Sequence, residues 1–200
     1  MSKINSLATK NGETRSLGIT IYFITSNKDK FLEAQLIIPE LAQLNINLDE
    51  IQDNNPRKII AYKLEQAQKH HHGSFIVEDT SLYFHCLNKT LPGPFIKYFI
   101  KAIGNNGLYA LCKKFNDYRA VVKTIIGYYD AIPKENIFFE GSLKGSIVNP
   151  IGTYGFGWDM IFLADGYSHT FAQMTRKEKT SVSMRTLGFE KLKKHFTKND

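Results

Sequence analysis

The sequence predicts an α/β fold, and three observations carry that expectation. A β-branched and aromatic run at 19–25 breaks into a polar turn and then a helical pattern. A short apolar run at 74–77 leads into two adjacent carboxylates, and β-rich segments between 118 and 148 precede a closing helical pattern.

The first run reads as a strand ending in the turn 26–30. Either Ser26 or Asn27 can cap the helix that follows, whose face is given by Phe31, Ala34 and Ile38 before Pro39 interrupts it. A strand, a polar turn and a helix N-terminus in that order leave free N–H groups suited to an anion. Asn55 and Pro56 start a second helix with Ile60, Leu64 and Ala67 on one stripe and Lys63 off it. That helix runs into His70, His71 and His72, with Gly73 as its stop. Three consecutive imidazoles on a helix point in different directions and make a poor metal site. The short strand 74–77 delivers Glu78 and Asp79, which face opposite sides if the chain stays extended. Stretches 93–103 and 107–115 read as two short helices forming a lid or a lobe. Residues 118–148 form a twisted hairpin turning near Pro133. A glycine-rich loop, a brief strand at 160–163 and a helix at 181–196 follow.

Two hundred residues with 42% hydrophobic content suffice for one domain with a real core. Residues 1–18 are polar and are expected to be a flexible extension; 19–200, without repeats or linkers, are expected to form a single domain. No run approaches membrane-spanning length, and a cytoplasmic protein with no membrane partner is expected. The formal charge of +7 is spread along the chain, which fits anionic ligands or simply a solvated basic surface. Cys86 and Cys112 are far apart in sequence and suggest buried thiols rather than a disulfide or a zinc site.

Two adjacent anions repel and are costly to desolvate, so Glu78 and Asp79 mark a place where water, a metal or basic groups neutralise them. The loop around Gly152, Gly155 and Gly157 displays Phe156 and Trp158 and ends in Asp159; it is either a base-stacking platform or a turn with its aromatics in the core. No phosphate-binding P-loop or dinucleotide fingerprint is present.

Taken in order, five elements resemble the inosine triphosphate pyrophosphatase family. They are Thr25-Ser26-Asn27-x-x-Lys30 with Glu33 after it, 77–82, 91–97, the stretch from Gly145 through Phe156-Gly157-Trp158-Asp159, and Lys179-x-x-x-Ser183-x-Arg185. The resemblance implies a long twisted mixed β-sheet with helices in two lobes, a cleft between them, and a homodimer. It implies magnesium-dependent hydrolysis of ITP, dITP and XTP to the monophosphate and pyrophosphate, with the nucleotide as partner and no nucleic acid. Thr25, Ser26, Asn27 and Lys30 would hold the phosphates, joined by Lys63 and Thr80. Glu50 and Asp79 match the family's Mg2+ positions, and Asp79 with Lys30 its catalytic ones. Phe156, Gly157 and Trp158 would face the base, and Arg185, with Asp159 and Lys179 beside it, would donate to the purine O6. Glu78 is at best an auxiliary group and otherwise a solvated strand-end carboxylate.

Three departures bear on this expectation. Met184 stands where the family has histidine, and Gln173 where it has glutamate. The segment after Glu50 lacks the usual glycine and acids, so a neighbour could replace Glu50 as metal ligand. A relative with altered base preference, or a non-catalytic nucleic-acid-binding module, are the rival readings.

Overall fold

The computed structural model describes residues 5–8, 14–17 and 20–198. Within the expected extension, β1 (Asn5–Ala8) and β2 (Thr14–Leu17) pair antiparallel; the rest of 1–18 lies outside the described residues.

The predicted first strand and helix are β3 (Tyr22–Ile24) and α1 (Lys28–Gln35), with Asn27 as the cap. β4 (Ala42–Leu44) lies parallel to β3. Asn55 caps α2 (Pro56–Gln68), whose stripe Ile60, Leu64 and Ala67 is fully buried as expected. The helix ends at Gln68 rather than at Gly73, with Lys69 as its cap, and Gly73 does not take the left-handed conformation of a helix stop.

The strand expected to stop before the carboxylates runs on as β5 (Phe75–Phe84), so Glu78 and Asp79 lie inside it. Its residues pair without a break with β7 (Arg119–Asp130), which forms the predicted hairpin with β8 (Glu135–Ile147). β6 (Pro92–Gly93) pairs with Leu82 and Tyr83 of β5, and β9 (Phe162–Ala164) joins β8, giving a seven-stranded mixed sheet in the order β4-β3-β5-β7-β8-β9 with β6 beside β5. The two short helices are the halves of α3 (Ile96–Phe115), broken at Gly104, where φ of 65° and ψ of 179° leave the helical region. The final helix is two: α4 (Arg176–Val182) and α5 (Met184–Lys198), separated by extended Ser183, whose hydroxyl accepts the Thr186 N–H at 3.2 Å.

Apolar packing divides along β5. Ile76 joins a cluster with α1 and α5, and Phe75 and Val77 join one with α2 on the other face; Leu82 and Phe84 belong to a third with α3, β9 and Trp158. The long strands thus carry two lobes, with the polar residues 78–81 of β5 between them.

Candidate active site

On the edge of β5 away from β7, β3 pairs with Phe75 and Ile76 and β6 with Leu82 and Tyr83, so among the described residues 77–81 have no strand neighbour there. A cleft of about 460 Å3 opens at this gap. Thr25, Ser26 and Asn27 line it from the β3–α1 turn, Lys30 from α1, Lys63 from α2, Glu50 from the segment before α2, and Phe156, Gly157 and Trp158 from the glycine-rich loop; Asp79 and Thr80 are also on its wall. The Asn27 side chain accepts the Lys30 N–H at 3.0 Å and the Thr25 hydroxyl accepts the Asn27 N–H at 3.1 Å, which fixes the start of a helix whose end carries partial positive charge.

Glu78 and Asp79 point to opposite faces, as alternation requires, yet both border the cleft. Asp79 faces α2, where Lys63 Nζ lies 3.8 Å from Asp79 Oδ1, 2.6 Å from Glu50 Oε1 and 3.3 Å from the Glu78 carbonyl, to which it donates. Lys63 is therefore not off the buried stripe. At 3.6 residues per turn it lies about 40° beyond Ala67, on the edge of the buried face, with its stem covered and its ammonium delivered to the cleft. Burial works against its charge, but Asp79 and Glu50 outweigh it and raise the Lys63 pKa. Burial pushes the Asp79 carboxyl up against the pull of Lys63 and Lys30, whereas for half-exposed Glu50 the attraction of Lys63 overcomes burial and lowers it.

Glu78 faces the other way and is wholly buried, so the solvated strand-end reading fails: α5 brings a guanidinium to it. Arg185 Nε donates to Glu78 Oε2 at 2.7 Å and Lys30 Nζ lies 3.2 Å from Oε1. Burial would raise this carboxyl, but Arg185 and Lys30 hold it well below the usual carboxylate range. Arg185 also pairs with Glu33 of α1, Glu33 with Lys179 of α4 at 3.0 Å, and Lys179 with Asp159 at 2.7 Å. Asp159 Oδ2 in turn accepts the Phe156 N–H at 2.9 Å. The result is an alternating chain, Lys30–Glu78–Arg185–Glu33–Lys179–Asp159, in which three acids offset three bases between the cleft and the glycine-rich loop.

Two glycines make that chain possible. A Cβ on Gly141 of β8 would sit 1.8 Å from the Met184 carbonyl oxygen, so only glycine lets the start of α5 press onto the sheet. A Cβ on Gly155, where φ is +82°, would sit 2.2 Å from Asp159 Oδ2. Thr80 donates to Glu78 Oε1 at 2.7 Å, and its hydroxyl lies 2.9 Å from that of Thr124.

Arg185, Lys179 and Asp159 do not line the main cleft. They border an adjoining cavity of about 90 Å3 with Lys30, Thr80, Phe156, Trp158 and Met184. The Phe156 ring stands 4.5 Å from Lys179 Nζ, while Trp158 packs its ring against Phe162 and Phe171 in the core. Both aromatics of the loop therefore border the cavities, Phe156 beside Lys179 and Trp158 with its ring also packed into the core. Met184 is buried, and Gln173 caps a turn by accepting the Thr170 N–H at 3.0 Å. Sequence reasoning gave Glu33 no role and undervalued Glu78. A usable signal was the Lys30/Glu33 spacing of one helical turn, which puts a cation and an acid on one face of α1. Asn105 was also missed: it follows the Gly104 break and donates from Nδ2 to the Gly157 carbonyl at 3.0 Å.

Fold and site together define an α/β protein whose interlobe cleft sets lysines and carboxylates against an aromatic loop. The comparisons with known proteins assign it further. A model of the Ham1 family matches residues 21–195. The inosine triphosphate pyrophosphatase of Schizosaccharomyces pombe is 36% identical over 87% of this chain and 93% of its own, and that of Emericella nidulans is 37% identical over 86% and 94%. A HAM1 protein structure from Coxiella burnetii superposes with a TM-score of 0.77 at 21% identity, covering 90% of this chain and 99% of that one. The chain belongs to the Ham1 family.

Proposed function

We propose that the protein is a nucleoside triphosphate pyrophosphatase that hydrolyses ITP, dITP and XTP to the monophosphate and pyrophosphate, with Mg2+, as a homodimer acting on the cytoplasmic nucleotide pool. The observation that carries this reading is the convergence of Lys30, Lys63, Glu50 and Asp79 in one cleft beside the start of α1, with Phe156 across from them. Relatives named inosine triphosphate pyrophosphatase, similar over most of their length, support the hydrolase class.

The carboxylates fit a magnesium ion: Glu50 and Asp79 are hard oxygen donors that both approach one ammonium, Lys63 Nζ, so positive charge is already held between them. They would hold the ion, which when bound supplies Lewis-acid stabilisation of phosphoryl oxygens. Asp79 takes the proton of the water that attacks the α-phosphorus in line. Lys30 and Lys63 offset the charge that builds on the departing pyrophosphate. Phe156 stacks on the purine, and Arg185, held flat by Glu33 and Glu78, donates to O6. An adenine amino group at that position would meet donor with donor.

Initial rates of pyrophosphate release from ITP, XTP, dITP, GTP and ATP, with and without magnesium, test this. Release from the 6-keto non-standard nucleotides should dominate and need the metal; equal rates on ATP would transfer support to the altered-preference relative that Met184 suggests. A sedimentation mass of one chain would remove the dimer.

A further inference from the structure

The only two cysteines in the chain, remote in sequence, touch in space: the sulfurs of Cys86 and Cys112 are 3.9 Å apart. Cys86 sits in the 3-10 turn His85–Leu87 that follows β5, and Cys112 in the second half of α3. Cys86 is partly exposed whereas Cys112 is buried, and neither lines the cleft. We propose that this pair is an oxidation site at which hydrogen peroxide converts the two thiols into an intramolecular disulfide that staples α3 to the end of β5.

The accessible sulfur reacts first. Cys86 attacks the O–O bond, which breaks; one oxygen leaves as hydroxide and is protonated to water, and the other stays on sulfur as a sulfenic acid. Cys112 then attacks that sulfur, the S–S bond forms, the S–O bond breaks, and a second water leaves. The two thiols lose two electrons and two protons, and the peroxide is reduced to water. Burial pushes both thiols up, Cys112 to about 12, so little thiolate is present and the attack on peroxide is slow. Once formed, the bond constrains a 26-residue separation in the unfolded chain and stabilises the fold.

Intact-mass spectrometry decides the matter. The full chain is exposed to hydrogen peroxide, unfolded in acid and treated with a thiol-alkylating reagent. The expected product has lost two hydrogens, carries no alkyl group, yields a peptide linking Cys86 to Cys112, and melts several degrees above the reduced protein until dithiothreitol reverses the shift. In Cys112→Ala, Cys86 should instead be captured by dimedone as the sulfenic acid. Two alkylated thiols at a peroxide dose that fully oxidises free cysteine would overturn the proposal, as would cross-links only between chains. The wild-type peptide map decides alone if that variant does not fold.

Discussion

The cleft and the ion chain behind it use the same residue types in opposite ways. In the ion chain, Glu78, Glu33 and Arg185 are sealed from bulk water and each charge is met by a close partner, so the group is neutral and fixed in place, with Arg185 reaching only the small cavity beside Phe156. In the cleft, Lys63 is shared between two carboxylates, one of them half exposed, and among the described residues the ion pair of Asp79 is the long one to Lys63, at 3.8 Å. Loosely held charge at a solvent-open gap can be re-partnered by a polyanion and a cation; tightly paired buried charge cannot without large cost. Lys30 belongs to both, since it lines the cleft and anchors Glu78. The comparison teaches that burial and partner distance, rather than the mere presence of carboxylates, separate groups open to a new partner from those locked into the frame of the site.

This contrast can be broken experimentally, beginning where the effect is largest. Arg185→Met leaves Glu33 and Glu78 buried without their guanidinium, and urea unfolding should show a loss of about 3–5 kcal/mol. Phe156→Ala should weaken ITP binding by about 1–3 kcal/mol while leaving unfolding nearly unchanged, as titration calorimetry would report. Asn105→Ala releases the Gly157 carbonyl and should raise KM for ITP several-fold, in keeping with about 1 kcal/mol for a neutral hydrogen bond, with kcat retained. Least affected is Arg176→Ala: its pair with Asp29 is 2.7 Å long but half exposed at both ends, and the urea midpoint should not move measurably.

Much of the fold was legible because local signals agreed with the tertiary outcome. Asn27, Asn55 and Pro56 mark helix starts whatever surrounds them, and the hairpin around Pro133 follows from two long β-rich runs. The continuation of β5 was not legible, because two adjacent acids look like a strand end until Arg185 and Lys63 arrive from helices distant in sequence. The break at Ser183 was hidden for a related reason: its hydroxyl caps the next helix, a competing local bond that apolar periodicity does not register. The cleft residues could be named from their motifs. Which of them would be sealed into an ion chain could not, since that depends on Gly141 and Gly155 giving up side-chain volume to helix and loop.

Asp79→Asn separates the two regions most directly. The amide keeps the side chain's shape and removes the cost of desolvating an anion, so thermal unfolding should occur at or above the wild-type midpoint. Pyrophosphate release from ITP with magnesium should fall on the order of 10³-fold. Release at the wild-type rate by this folded variant would contradict the assignment of the reacting carboxylate to the cleft.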